Sequence, residues 1–187
     1  MQFFFPYKTL FLKVHPPAMR GDLHTLKRVC SYASVVMLIG EIAFLILSVA
    51  TSALGAVSLT SDDIRETFVS IIKCGDSDLS FIAGTLEMTI LFIAMFITVK
   101  AIHDIMGSIM REHSPFTDEN AARFKVVSIT FLLCSVTLAA LEYLNREDPI
   151  MSVCMLLVCI LISVVMYCLT IVFRYGSILQ DESDHTL

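Results

Sequence analysis

Four long apolar stretches, separated by polar connections, organise the chain. They run over about 29–59, 79–99, 126–141 and 149–173. Glu41 is the only charged residue in the first and Glu87 the only one in the second, and the last two stretches have none. A helix needs about 20 apolar residues to cross the hydrocarbon of a bilayer. The first, second and fourth stretches meet that length. The third is shorter, but Arg123 and Lys125 can snorkel from one end and Tyr143 can sit in the interface at the other. The pattern predicts an all-α fold, an integral membrane four-helix bundle. Its helices are expected at about 29–59, 79–112, 118–144 and 149–175, after an N-terminal segment 1–28 and before a tail 177–187.

The connections carry their own signals. Beyond Lys100, the residues Ile102, Ile105, Met106, Ile109 and Met110 keep a helical apolar stripe, so helix two is expected to overshoot the membrane until Ser114-Pro115 breaks it. After the first span, Thr60 or Ser61 can cap a short helix with Asp62 and Asp63 in its first turn. Ile64, Phe68, Ile71 and Ile72 then share one face, which predicts a short amphipathic helix ended by Gly75. Thr117 is a natural N-cap for helix three, with Asp118 and Glu119 in the first turn and Phe116 placed to staple against Ala121.

Composition supports lipid as the solvent. Hydrophobic residues make up 56% and charged residues 17%, against roughly 45–50% and 25% in soluble domains. The start of the chain is interrupted by Pro6, Lys8, Lys13, Pro16 and Pro17, so it does not read as a cleavable signal. The net charge of -5 hides an asymmetry. Ten basic residues flank one side of the spans (Lys8, Lys13, Arg20, Lys27, Arg28, Lys100, Arg111, Arg123, Lys125 and Arg174), and only Arg65, Lys73 and Arg146 the other. The positive-inside rule then expects both termini and the middle loop in the cytoplasm. The outer side collects acids, counted as Asp62, Asp63, Glu66, Asp76, Asp78, Glu142, Glu147 and Asp148. An acidic chain without a basic face is not expected to bind nucleic acid directly.

The run from His113 to Phe124 contains Pro115-Phe116-Thr117, then Glu119-Asn120, then Arg123. It resembles the PFT-x-EN-x-x-R signature of a bacterial membrane family catalogued as domain of unknown function 2975. The ending from Phe173 onward is similar to that family's ending, and the resemblance covers the chain from about residue 25. It implies a bacterial cytoplasmic (inner) membrane protein with no assigned catalytic residue. Members are often encoded beside a small helix-turn-helix regulator, which implies a cytoplasmic regulator as partner. On that reading Pro115, Phe116, Thr117, Glu119, Asn120, Arg123, Arg174, Leu179 and Asp184 form a candidate cytoplasmic interaction motif. The alternative is an ordered turn followed by a solvated tail.

Inside the spans, Glu41 and Glu87 are the sharpest features. Counted at 1.5 Å per residue from the cytoplasmic face, each lies roughly 18–20 Å deep. No Lys or Arg lies within the apolar stretches to pair with them. A charge there costs about 2.5–3.5 kcal/mol on insertion scales, so at least one of the two is expected to be neutral. They make a candidate intramembrane polar site for a proton or cation, or else interhelical packing glue. Stripes of small and polar residues predict the inward faces: Ser34, Glu41, Ser48 and Gly55; Gly84, Glu87, Ala94, Thr98 and Ala101; Ser128, Ser135 and Glu142.

Five of six cysteines lie in apolar stretches and only Cys74 in a polar loop, so no disulfide framework is expected. Cys154 and Cys159 fall roughly 140° apart around one helix, and His15, His24, His103, His113 and His185 are scattered. Neither set predicts a metal site, and nothing in the chain predicts an enzyme or a cofactor. Two functions remain open: a non-enzymatic regulatory or interaction protein, and a small proton- or cation-coupled transporter. Either could be a homo-oligomer in the bilayer.

Overall fold

The computed structural model describes residues 17–72, 74, 77–112 and 115–185. The described chain is all-helical: α1 (Pro17–Ser58), α2 (Asp62–Ile72), α3 (Asp78–Glu112), α4 (Asp118–Arg146) and α5 (Pro149–His185). Four of these, α1, α3, α4 and α5, are long and apolar enough to cross a membrane. The chain thus has the build of a multi-pass helical membrane protein. Residues 1–16, and the signals read at Gly75 and Ser114, lie outside the described residues.

Local chemistry explains most boundaries. The Thr117 hydroxyl accepts from the Asn120 N–H at 3.2 Å and caps α4 as expected. Glu147 closes α4 in the left-handed region, with φ 54°, and its N–H reaches the Tyr143 carbonyl at 2.8 Å. Asp148 then caps α5 by accepting from Ile150 N–H at 2.9 Å, and Pro149 takes the first helical position, where its missing N–H costs nothing. Two residues therefore suffice to reverse the chain.

Two boundaries differ from the expectation. α1 begins at Pro17 rather than near 29, because Pro17 starts a helix and nothing but Gly21 interrupts 18–28. α5 runs to His185 rather than ending near 175, so the expected tail is mostly helix. Beyond Gly176 no Pro or Gly stops it, and the Ser177 hydroxyl ties it to Asp118 at 2.8 Å.

The spans do not close into the expected bundle. α1 packs on α3, α3 on α4 and α4 on α5, while among the described residues no Cα of α1 comes within 8 Å of one in α4 or α5. The four spans stand in an open row with antiparallel neighbours. α4, an inner helix, has 33% of its span buried, whereas α1, at the edge, has 6%. The outer faces carry large exposed side chains such as Val36, Ile39, Leu157 and Leu161, which suits lipid and supplies no polar stripe to draw a fourth neighbour.

The expected small and polar stripes form the seams. Ser48, Ala94, Ala101, Ser128, Ser135 and Glu142 are all buried. Ala94 and Ala101 let α3 approach Val127, Phe131 and Leu138 of α4. Serines join α4 to α5: Ser163 donates to the Ser128 carbonyl at 2.9 Å, and Ser152 to the Ala139 carbonyl at 2.6 Å. Such bonds replace water where water is absent.

α2 lies across the ends of α1 and α3. Only part of its predicted apolar face turns inward. Phe68 packs edge-on against Phe81 at 5.9 Å, with Cys74, read as a loop residue, buried beside them. Ile71 is exposed instead. An 11-residue helix over two helix ends has only one turn's width to cover.

Candidate functional site

Glu41 and Glu87 do not meet. α1 and α3 pair with Gly40 against Val99, Ser52 against Thr89 and Gly55 against Thr85. That register sets Glu41 level with Lys100 and His103. Its Oε2 lies 3.1 Å from His103 Nδ1 and its Oε1 3.5 Å from Lys100 Nζ. Lys100 in turn lies 3.9 Å from Asp104. The thirteen residues from Glu87 to Lys100 separate the two glutamates by roughly 20 Å along α3. The expectation of an unpaired couple at equal depth is therefore corrected. The α1–α3 register sets Glu41 level with Lys100, thirteen residues along α3 from Glu87, and gives it Lys100 and His103 as neighbours.

Glu87 has a different partner, Glu142. Counted with the outer acids but also expected on the inward stripe of helix three, Glu142 lies inside α4 on that stripe, and both residues are only 4% exposed. They face each other across the α3–α4 seam. Asn145, one turn beyond Glu142, donates from Nδ2 to Glu87 Oε2 at 3.1 Å. The Ser80 hydroxyl hydrogen-bonds the backbone carbonyl of Asn145, one of the carbonyls that the end of α4 leaves without a helical partner. Gly84 makes room for this asparagine: a Cβ there would stand 3.1 Å from both terminal atoms of its side chain.

Charge around the pair is sparse. Arg146 Nε holds Glu142 Oε1 at 3.2 Å from a half-exposed position. Glu142 Oε2 is buried without a hydrogen-bond donor. The stretches 42–58 of α1 and 149–173 of α5 carry no charged residue, and Asp78 is engaged by Arg65 of α2 at 2.5 Å. Two buried carboxyls thus face one guanidinium. Such an arrangement can take up a proton or hold a cation, since isolated buried charge is costly.

The motif at the other end works within the chain. Asn120 is fully buried; its Nδ2 donates to the Pro115 carbonyl at 2.9 Å and its Oδ1 accepts from Arg123 at 2.6 Å. Arg123 also holds Glu119 at 2.7 Å and the Asp104 carbonyl at 3.4 Å. The Phe116 ring packs on Phe173 at 5.4 Å, and Phe124 stacks on the same ring at 4.8 Å. Pro115, Phe116, Thr117, Glu119, Asn120 and Arg123 therefore fasten α3, α4 and α5 together. Arg174 and Leu179 lie outside this knot and are exposed. Asp184 falls within α5, but its side chain is outside the described residues.

Among the described residues, no group of three or more His, Cys, Asp or Glu could hold a metal. Cys159 lies close to Cys134 of α4 rather than acting with Cys154.

No family model, no curated protein and no solved structure matches the chain. The geometry must carry the functional reading.

Proposed function

We propose that the chain is a non-enzymatic, multi-pass protein of a bacterial cytoplasmic membrane whose working part is an intramembrane ion site at Glu87 and Glu142, used in proton- or cation-coupled transport. The observation that carries this is the pair itself: two carboxyls, each 4% exposed, facing across a membrane-spanning seam with one guanidinium between them and solvent. Intramembrane acids are costly and usually serve ion pathways. Glu41 does not belong to this site. The basic residues gathered near the Phe116 end favour an orientation with that end and both termini in the cytoplasm. The bacterial origin rests on the resemblance of residues 115–123 to the family named above. Flux measured in proteoliposomes under a proton, sodium or potassium gradient tests the proposal. Glu87→Gln and Glu142→Gln should each abolish it while Glu41→Gln leaves it; wild-type flux in both of the first two variants refutes it.

A second reading, anchoring a cytoplasmic regulator, is favoured by one observation. α5 stays helical to His185 and presents Leu179 at 64% exposure. An exposed apolar residue on a projecting helix suits docking by a groove on a soluble partner. Capture of a helix-turn-helix regulator from native membranes, lost on Leu179→Asp, would support it. Equal recovery with both forms would refute it.

A further inference from the structure

We infer that Glu87 and Glu142 hold a single proton between them, with Glu87 as the acid and Glu142 as the carboxylate. The inference deepens the ion-site reading and rests on it only for the use made of the proton. Its basis is a count of donors and acceptors. Glu142 Oε1 accepts from Arg146 Nε at 3.2 Å, so Glu142 already has the counter-charge of a carboxylate. Glu87 Oε2 accepts from Asn145 Nδ2 at 3.1 Å. Two oxygens of the group are left over, Glu87 Oε1 and Glu142 Oε2, and the second is buried with no donor.

Buried acceptors are nearly always satisfied. Two ionised carboxylates have no hydrogen to offer each other, whereas one carboxylic acid supplies the missing O–H. Glu87 is the group placed to fill that need: it is buried on the facing helix, and Asn145, one turn beyond Glu142, holds its carboxyl there. With the proton, the group of two carboxyls and one guanidinium has no net charge. Without it, one negative charge stays uncompensated among apolar helices.

A metal cation fits less well. Two neutral oxygens at this end, Ser80 Oγ and Asn145 Oδ1, lie 3.4 Å apart, and the Ser80 hydroxyl also donates to the Asn145 carbonyl. Hard cations want about six oxygens. Glu147 and Asp148 follow Arg146 at this end of α4, and Glu147 is exposed. α3 adds only Asp78, which Arg65 of α2 holds at 2.5 Å, and α1 and α5 bring no charged residue to this level.

Infrared spectroscopy of the full chain in liposomes at neutral pH tests this, with and without sodium and potassium. The wild type should show a protonated-carboxyl carbonyl band that neither cation alters. Glu87→Gln should lose it. Glu142→Gln should lose it too, because Glu87 then becomes the carboxylate partner of Arg146. A band kept in Glu142→Gln overturns the shared proton, as does a band kept in both variants. A wild type that lacks the band, with carboxylate bands that move with sodium or potassium, places a cation there instead. Should a glutamine variant fail to fold, Glu142→Asp keeps the charge but shortens the reach: a shifted band supports the inference and an unmoved one overturns it. A wild-type band without ion flux leaves the proton standing and refutes transport; flux without the band does the reverse.

Discussion

Asn145 binds Glu87 with its side chain and Ser80 with its backbone, so one residue near the end of α4 both places a buried carboxyl and fixes α4 against α3. Asn145→Leu is close in volume but removes the amide. It leaves Glu87 Oε2 without a donor while the Ser80 bond to the backbone survives. An unsatisfied buried acceptor costs about 1–3 kcal/mol. The expected result is a matching loss of stability in thermal unfolding in detergent. Asn145→Asp should cost more, since it sets a third carboxyl beside two others.

Glu41 offers the opposite case. Its partner Lys100 has 49% side-chain exposure, so the pair is screened and is worth at most about 1 kcal/mol. Glu41→Gln should therefore shift thermal stability only slightly. A loss as large as that of Asn145→Leu would show that Glu41 lies deeper than the exposure of Lys100 indicates.

The contrast between the two glutamates shows what the sequence could and could not reveal. The α3–α4 hairpin turns at Pro115, and short connections make antiparallel neighbours. Reflection about that residue sets Glu87 opposite about residue 143, so its meeting with Glu142 was legible. Glu142 also continues the seven-residue stripe of Ser128 and Ser135. What hid the pair is that Glu142 also lies beside Glu147 and Asp148, and so counts equally as one of the outer acids. The α1–α3 register was not legible. The connection between them contains α2, and no rule of reflection applies across a helix of its own. Nor could the open row be read, because periodicity gives each helix an inner face without saying how many neighbours share it. The contacts of the Phe116 motif, Asn120 with Arg123 and Phe116 with Phe173, could not be read either, because they depend on how α4 and α5 meet at the turn.

At the other seam, Gly55 faces Thr85 so closely that a Cβ on residue 55 would overlap the Thr85 methyl. Gly55→Ala should force α1 away from α3 and cost about 1–3 kcal/mol, the usual penalty of overpacking. Thr85→Ser removes that methyl and keeps the hydroxyl that bonds the Phe81 carbonyl at 2.9 Å. The double variant should recover most of the loss. A thermal double-mutant cycle measures the coupling, and simple additivity would refute the contact.

Phe116 and Gly176 make the equivalent contact at the far end, where a Cβ on residue 176 would fall within the phenyl ring. Two fastenings hold this end: the aromatic stack on Phe173 and the Asn120–Arg123 knot. Gly176→Val should expel the Phe116 ring and free α5 from the turn. Asn120→Ala should leave the Pro115 carbonyl and the Arg123 guanidinium short of partners, at about 1–3 kcal/mol. Because both loosen the same turn, the two losses should not add. Protease cleavage near residue 115 offers a local readout, since it should speed up in each variant while the Glu87 end keeps its infrared signature. If cleavage does not change, the turn is held by the membrane and not by these side chains.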